Sequence, residues 1–283
     1  IERIGILMKR FLIIQGPMIS EGRAGKLTPD MESVVFDTNH NVKYMIEKYG
    51  HLFDVVVLST WTDEPVTFQT DEPYIVVRSK MPPRVETPYG KGNQDRQFYS
   101  LQIGLDVLHA EPTDIVVKTR TDITVDLESI LFTTKLEYIC VTHMNLSRIL
   151  EKDMSMFGFA VGDFYFSSSY EKMRQFTDAM LVPVNLGWKV HQEMIMKYAY
   201  VNFPEFAHLR PVMWNSNEQI DDIQAQVFAC MMDMAFYPHT AYPFLSMSWR
   251  GHKVDEKFIK DHSANSVIYK DRWDEHKERV KNQ

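Results

Sequence analysis

Cysteines, long apolar runs and glycine-rich nucleotide loops are scarce or missing in this chain, and each shortage removes a class of function. Only two cysteines occur in 283 residues, Cys140 in a strand-like run and Cys230 in a helix-like run. Neither belongs to a CxxC or Cys/His spacing, so no structural zinc site is read, and two buried thiols in a reducing compartment are expected. No apolar run approaches the roughly 20 residues that span a bilayer. The opening Ile1 to Ile14 is broken by Arg3, Lys9 and Arg10 and leads to no small-residue cleavage signal, so no signal peptide is read. A cytoplasmic protein is expected, either soluble or in peripheral contact with the membrane face.

No GxGxxG follows the first strand-like run, and neither GxxxxGK[ST] nor GxSxG occurs. Dinucleotide binding, P-loop chemistry and the nucleophile elbow of serine hydrolases therefore lose their sequence support. Positive charge is also short, with 31 Lys and Arg against 38 Asp and Glu and a formal net charge of −7. Without a lysine-arginine stripe, a general nucleic-acid binder is excluded, while a local anion site is not. Proline and glycine, at 13 and 12, are not enriched, and no repeat or low-complexity stretch appears, which excludes widespread disorder.

What remains is ample apolar material. A hydrophobic fraction of 45% over 283 residues is enough for the full core of one domain spanning 1–283. The 17 methionines, dense around Met231, Met232 and Met234, read as core filler. Arg10 to Gln15 is a short β-branched run stopped by Gly16-Pro17, as in a buried strand that opens into a loop. Val42, Met45, Ile46 and Tyr49 repeat at i, i+3, i+4 and i+7, predicting an amphipathic helix ended by Gly50. Asp54 to Thr60 is nearly continuous in apolar residues, the mark of a strand covered on both faces. A third strand is expected over Pro73 to Arg78 and a fourth over Asp114 to Thr119. Between them a helix begins near Asn93, with Phe98, Leu101, Leu105 and Leu108 on its apolar stripe and Asn93, Arg96, Gln97 and Ser100 on a polar one. Later strands are expected near Glu137 to Thr142 and near either Phe157 to Ala160 or Phe164 to Ser167, and helices near Tyr170 to Met180, His191 to Val201 and Glu218 to Phe236.

Apolar strands alternating with helical periods predict an α/β fold with a mostly parallel, doubly wound central sheet flanked by helices. Ligands of such sheets bind at the carboxyl ends of the strands. Three polar clusters sit there: Gln15-Gly16-Pro17, Ser59-Thr60-Trp61 and Arg120-Thr121-Asp122. Asp122, just past an apolar strand, is placed to hold a divalent metal against a phosphate, or simply to cap a turn. Arg120 shares its face, and its role is open between binding a phosphate oxygen and forking onto Asp122. The helix start at Asn93 with Arg96 is a second candidate anion site, against a plain solvated face.

In order and spacing, Ile13-Ile14-Gln15-Gly16-Pro17, Val57-Leu58-Ser59-Thr60-Trp61, Asn93 with Arg96-Gln97 and Gly104-Leu105, and Val117 to Asp122 resemble the WavE lipopolysaccharide synthesis family. The resemblance is clearest over about 10–125 and reaches weakly to Asp153 to Gly158. It implies a GT-A-like nucleotide-diphospho-sugar transferase fold, with residues 8–125 as the nucleotide-sugar half and 126–283 as the acceptor half. It also implies a glycosyltransferase moving a sugar from a nucleoside-diphosphate donor to a glycan or lipopolysaccharide-type acceptor. Gln15, Gly16, Pro17, Thr60 and Trp61 are then placed near the nucleotide, and Asp122 takes the part of the last Asp of a DxD motif, with Mn²⁺ or Mg²⁺ as the implied cofactor. Arg120 stands where the first carboxylate of that motif is expected and can itself replace part of the ion's charge. For an inverting reaction the carboxylate base candidates are Asp153 and, on a helix with Met194, Ile195 and Tyr198, Glu193. Two alternatives stay open. A nucleotidyltransferase is kept alive by Gly22, Arg23, Gly25 and Lys26 in the loop after Gln15, and a non-catalytic glycan- or nucleotide-binding module is the other.

Overall fold

The computed structural model describes residues 8–22, 34–83, 85–87, 90–142, 144–145, 160–182, 195, 198–199, 201–209, 231, 234–239 and 246–254. Its frame is a seven-stranded sheet. The first strand, β1 (Arg10–Gln15), is followed by the hairpin β2 (Ile19–Gly22) and β3 (Val34–Asp37), then by α1 (Asn39–Tyr49) and β4 (Val55–Trp61). Next come β5 (Ile75–Ser79), the small pair β6 (Val85–Thr87) and β7 (Gly90–Gly92), α2 (Gln94–Asp106) and β8 (Ile115–Arg120). After β9 (Ile123–Thr124) and α3 (Leu127–Thr133) the described chain continues through β10 (Ile139–Val141), β11 (Met144–Asn145), β12 (Ala160–Val161), β13 (Phe166–Ser169) and α4 (Tyr170–Leu181). It ends with β14 (Phe236–Pro238) and the hairpin β15 (Ser248–Trp249) and β16 (His252–Lys253).

The sheet order is β14-β10-β13-β8-β1-β4-β5, mostly parallel, with β13 running against both β8 and β10. Strand alternation sorts the apolar side chains into two layers. Phe11, Ile13, Val57 and Val116 pack with Phe98, Leu101 and Leu105 of α2 and Met173 and Phe176 of α4. Leu12, Ile14, Val56, Leu58, Ile115 and Val117 pack on the other face with Val42, Met45 and Ile46 of α1 and Ile130 of α3. Each such fully buried side chain stabilises by about 1.5–3 kcal/mol, which is why the strands read as continuous apolar runs.

The helix stripes decide which faces are buried. Phe98, Leu101 and Leu105 are fully buried, and Gly104 lets α2 lie close on β1, since a Cβ there would stand 2.8 Å from Ile13 Cγ2. Ser59 Oγ donates to the Ser100 carbonyl at 2.7 Å, and Ser100 Oγ donates to the Ser59 carbonyl at 3.2 Å, pinning α2 to the end of β4. As expected, α1 ends at Tyr49 with Gly50 as its C-cap; Gly50 is right-handed, φ −54°, and opens a 3₁₀ turn over Gly50–Leu52. Cys140 is a buried free thiol, pushed up to about 11 by burial, whereas Cys230 lies outside the described residues. Among the described residues, no helix is long and apolar enough to cross a membrane.

Candidate functional site

The registers of β1 with β4 and β8 set Gln15 level with both Ser59 and Arg120, which brings the three strand-end clusters together. They open on a cavity of about 420 Å³. Gln15, Gly16, Pro17, Trp61, Asn93, Arg96, Gln97, Arg120 and Asp122 all line it. Thr60 does not, because neighbouring residues on a strand face opposite sides: Ser59 turns toward α2, while Thr60 is fully buried and its Oγ1 has no hydrogen-bond partner. Asp153 and Glu193 lie outside the described residues, as do Arg23, Gly25 and Lys26.

The floor is shaped by the chain turning out of β1. Gly16 has φ +131°, and its N–H donates to the Ser59 carbonyl at 3.1 Å. A side chain there would meet Thr121 Oγ1 at 2.8 Å. Thr121 itself donates from N to the Gln15 carbonyl at 2.9 Å and from Oγ1 to the Pro17 carbonyl at 2.7 Å, lacing the first loop to the end of β8. Opposite, Arg96 Nε donates to the Pro82 carbonyl at 2.8 Å. Glu64 Oε2 accepts the Met18 and Ile19 N–H groups at 3.0 and 3.1 Å, so that carboxylate is turned onto backbone.

The charged centre is Asp122, only 3% exposed. Arg120 forks onto it, Nε to Oδ1 at 2.9 Å and Nη2 to Oδ2 at 2.8 Å, which is one of the two roles open from sequence. Oδ2 also accepts from Ser20 Oγ at 3.0 Å and Trp249 Nε1 at 3.2 Å, and Arg250 Nη2 lies 3.2 Å away. Burial raises the Asp122 carboxyl, but the Arg120 charge and hydrogen bond, with Arg250 and Ser20, outweigh it and leave it below the ordinary carboxylate value. On the far side Arg120 Nη1 lies 3.5 Å from Asp163 Oδ2, and the Asp163 carbonyl accepts from Lys118 Nζ at 2.9 Å and Gln97 Nε2 at 3.2 Å. Lys118, fully buried over the Phe166 ring, is pushed down to about 7 by burial, against the opposing pull of Asp163.

These residues give a divalent ion at Asp122 little room. Both carboxylate oxygens already accept charged or polar donors, and an ion there would stand beside two guanidiniums instead of a second carboxylate. Among the described residues, no group of three or more His, Cys, Asp or Glu side chains could hold a metal.

Ser20, Asp163, Trp249 and Arg250 were missed from sequence. Ser20 and Arg250 meet through Arg250 Nε donating to Ser20 Oγ at 3.0 Å, between a hairpin near the start and one near the end of the described chain. The only local signal was Arg250-Gly251, which forms the two-residue turn between β15 and β16 with φ of 48° and 78°.

No family model matches the chain, and no curated protein matches it. Among solved structures it is similar to HddC from Yersinia pseudotuberculosis, at 8% identity and a TM-score of 0.33, covering 59% of this chain and 79% of that one. The same protein complexed with GMP-PN aligns at 8% identity and a TM-score of 0.31, with the same coverage of 59% and 79%. Likeness of that degree carries nothing over to this chain, so its chemistry rests on the cavity residues themselves.

Proposed function

We propose that this chain is a nucleotide-sugar-dependent transferase whose cavity takes the donor diphosphate at the carboxyl ends of β1, β4 and β8. The observation that carries the reading is the convergence of Arg96, Arg120 and Arg250 on one cavity at those strand ends. A guanidinium fork matches phosphate oxygens and offsets the charge that gathers on a departing diphosphate. Asn93, at the start of α2, brings helix-terminal N–H groups to the same wall.

The first reading is glycosyl transfer to a glycan, the activity that the WavE resemblance implies together with a GT-A-like form of the mostly parallel α/β sheet. An acceptor hydroxyl oxygen bonds to the anomeric carbon, and the bond from that carbon to the diphosphate oxygen breaks. The bonding pair leaves on the nucleoside diphosphate. The hydroxyl proton passes to a carboxylate, for which Asp163, lining the cavity beside Arg120, is the assignment within the described residues.

Nucleotidyl transfer is the second reading, favoured by the first loop, whose Gly16, Pro17, Ser20 and Glu21 wall the cavity where a triphosphate would lie. There a sugar phosphate oxygen attacks the α-phosphorus and pyrophosphate leaves. A panel of nucleotide sugars and nucleoside triphosphates, scored by melting temperature and then by product, tests both. Release of nucleoside diphosphate selects glycosyl transfer, and release of pyrophosphate selects nucleotidyl transfer. Stabilisation without turnover leaves a binding module, and no stabilisation by any nucleotide rejects the proposal.

A further inference from the structure

The hairpin of β15 and β16 contributes a cationic group to the cavity, and how that group is held bears on the metal question. Arg250 adopts φ 48°, a conformation uncommon for a residue with a side chain. Its neighbours hold it there: its N–H donates to the Asp122 carbonyl at 2.8 Å, and its guanidinium reaches Ser20 Oγ and Asp122 Oδ2. Arg120 forks onto the same carboxylate, Nε on Oδ1 and Nη2 on Oδ2, so the two guanidiniums share Oδ2. The result is two guanidiniums gathered on one buried acidic group, both lining the cavity, with Asp163 as a second carboxylate beside Arg120. Arg96 adds one more cation to the lining, beside the carboxylates of Glu21 and of Glu64, whose Oε2 accepts the Met18 and Ile19 amides.

We propose that Asp122 anchors Arg120 and Arg250 as a paired clamp for a pyrophosphate group, and that the clamp takes the place of a divalent ion bridging Asp122 to the ligand. This inference rests on the nucleotide-sugar reading and narrows it. Both arginines line the cavity, Arg120 with a side chain 21% exposed and Arg250 with one 9% exposed. A cation bound to Asp122 Oδ2 would displace hydrogen bonds from Arg120, Ser20 and Trp249 and stand against the Arg250 guanidinium, whereas an anion meets these charges with the arrangement already assembled.

The test measures binding of UDP, GDP and inorganic pyrophosphate to the full chain by calorimetry, in EDTA and in Mn²⁺. It uses the unmodified protein, Arg250→Gly and Arg250→Lys. Glycine suits the positive φ and so keeps the turn, and melting curves of both variants check folding. The clamp predicts that at least one probe binds in EDTA with an affinity within about twofold of that in Mn²⁺. It also predicts that Arg250→Gly weakens binding at least tenfold and that Arg250→Lys recovers only part of the loss. Binding that needs Mn²⁺, or that is unchanged in folded Arg250→Gly, overturns the clamp while the nucleotide reading stands. No binding of any probe in either condition overturns both.

Discussion

Asp122 and Arg250 are joined twice, by the Arg250 N–H on the Asp122 carbonyl at 2.8 Å and by Nη2 against Oδ2 at 3.2 Å. The first contact sets the hairpin turn on the end of β8, and the second aims a charge at the cavity. Asp122 thus links the sheet to a distant segment as well as belonging to the site, and that double role changes what its replacement does.

Asp122→Asn is expected to lower stability. From sequence, a metal ligand at the end of a strand predicts lost turnover with little change in folding. The structure predicts both losses, because Asn leaves Arg120 and Arg250 facing each other without their shared counter-charge. Removing one partner of a buried ion network costs about 3 kcal/mol, so denaturant unfolding should show a clear drop in midpoint. An unchanged midpoint would mean that the network contributes little.

Gly16→Ala is expected to disturb both fold and site. At φ +131°, with a Cβ 2.8 Å from Thr121 Oγ1, alanine must shift the loop laced to Thr121. Backbone strain of this kind costs about 1–3 kcal/mol. Calorimetric melting and nucleotide titration of the variant should therefore both show a loss.

Asp163→Asn separates binding from transfer. If Asp163 takes the acceptor proton, the amide lowers turnover by about 10²-fold or more, with donor affinity changed only a few-fold. A variant that turns over normally would hand the role to another carboxylate.

Much of this was legible because the physics is local. The runs in β1, β4 and β8 and the stripes of α1 and α2 follow directly from strands covered on both faces and helices covered on one. Asn93, Arg96, Gln97 and Ser100, one polar stripe in the sequence, all line the cavity. Thr60 failed because a cluster was read as a unit although the pleat sends Ser59 and Thr60 to opposite faces. The reversal of β13 left no mark, since its pairing with β8 depends on partners rather than on composition. Ser20, Trp249 and Arg250 were out of reach for the same reason: a hydroxyl, an indole and a guanidinium acquire a role only once tertiary packing sets them around Asp122.

Stability should also fall in mild acid through His239. The ring is 2% exposed, its Nδ1 has no partner, and burial lowers its pKa to about 4. Between about 6.5 and about 4 the unfolded chain takes up a proton that the folded ring refuses, so folding loses stability as pH falls, by up to about 3 kcal/mol. Urea midpoints across this window, compared with His239→Gln, should show a shallower slope in the variant. Equal slopes would assign the acid loss to other groups.

A structure of the chain with a bound nucleoside-diphosphate sugar decides whether a nucleotide diphosphate sits at the strand-end arginines. Diphosphate oxygens are expected within hydrogen-bonding distance, about 3 Å, of both Arg120 and Arg250, in the cavity bounded by Gln15, Trp61 and Arg96. A diphosphate bound elsewhere, or held in this cavity without contact to either arginine, would contradict it.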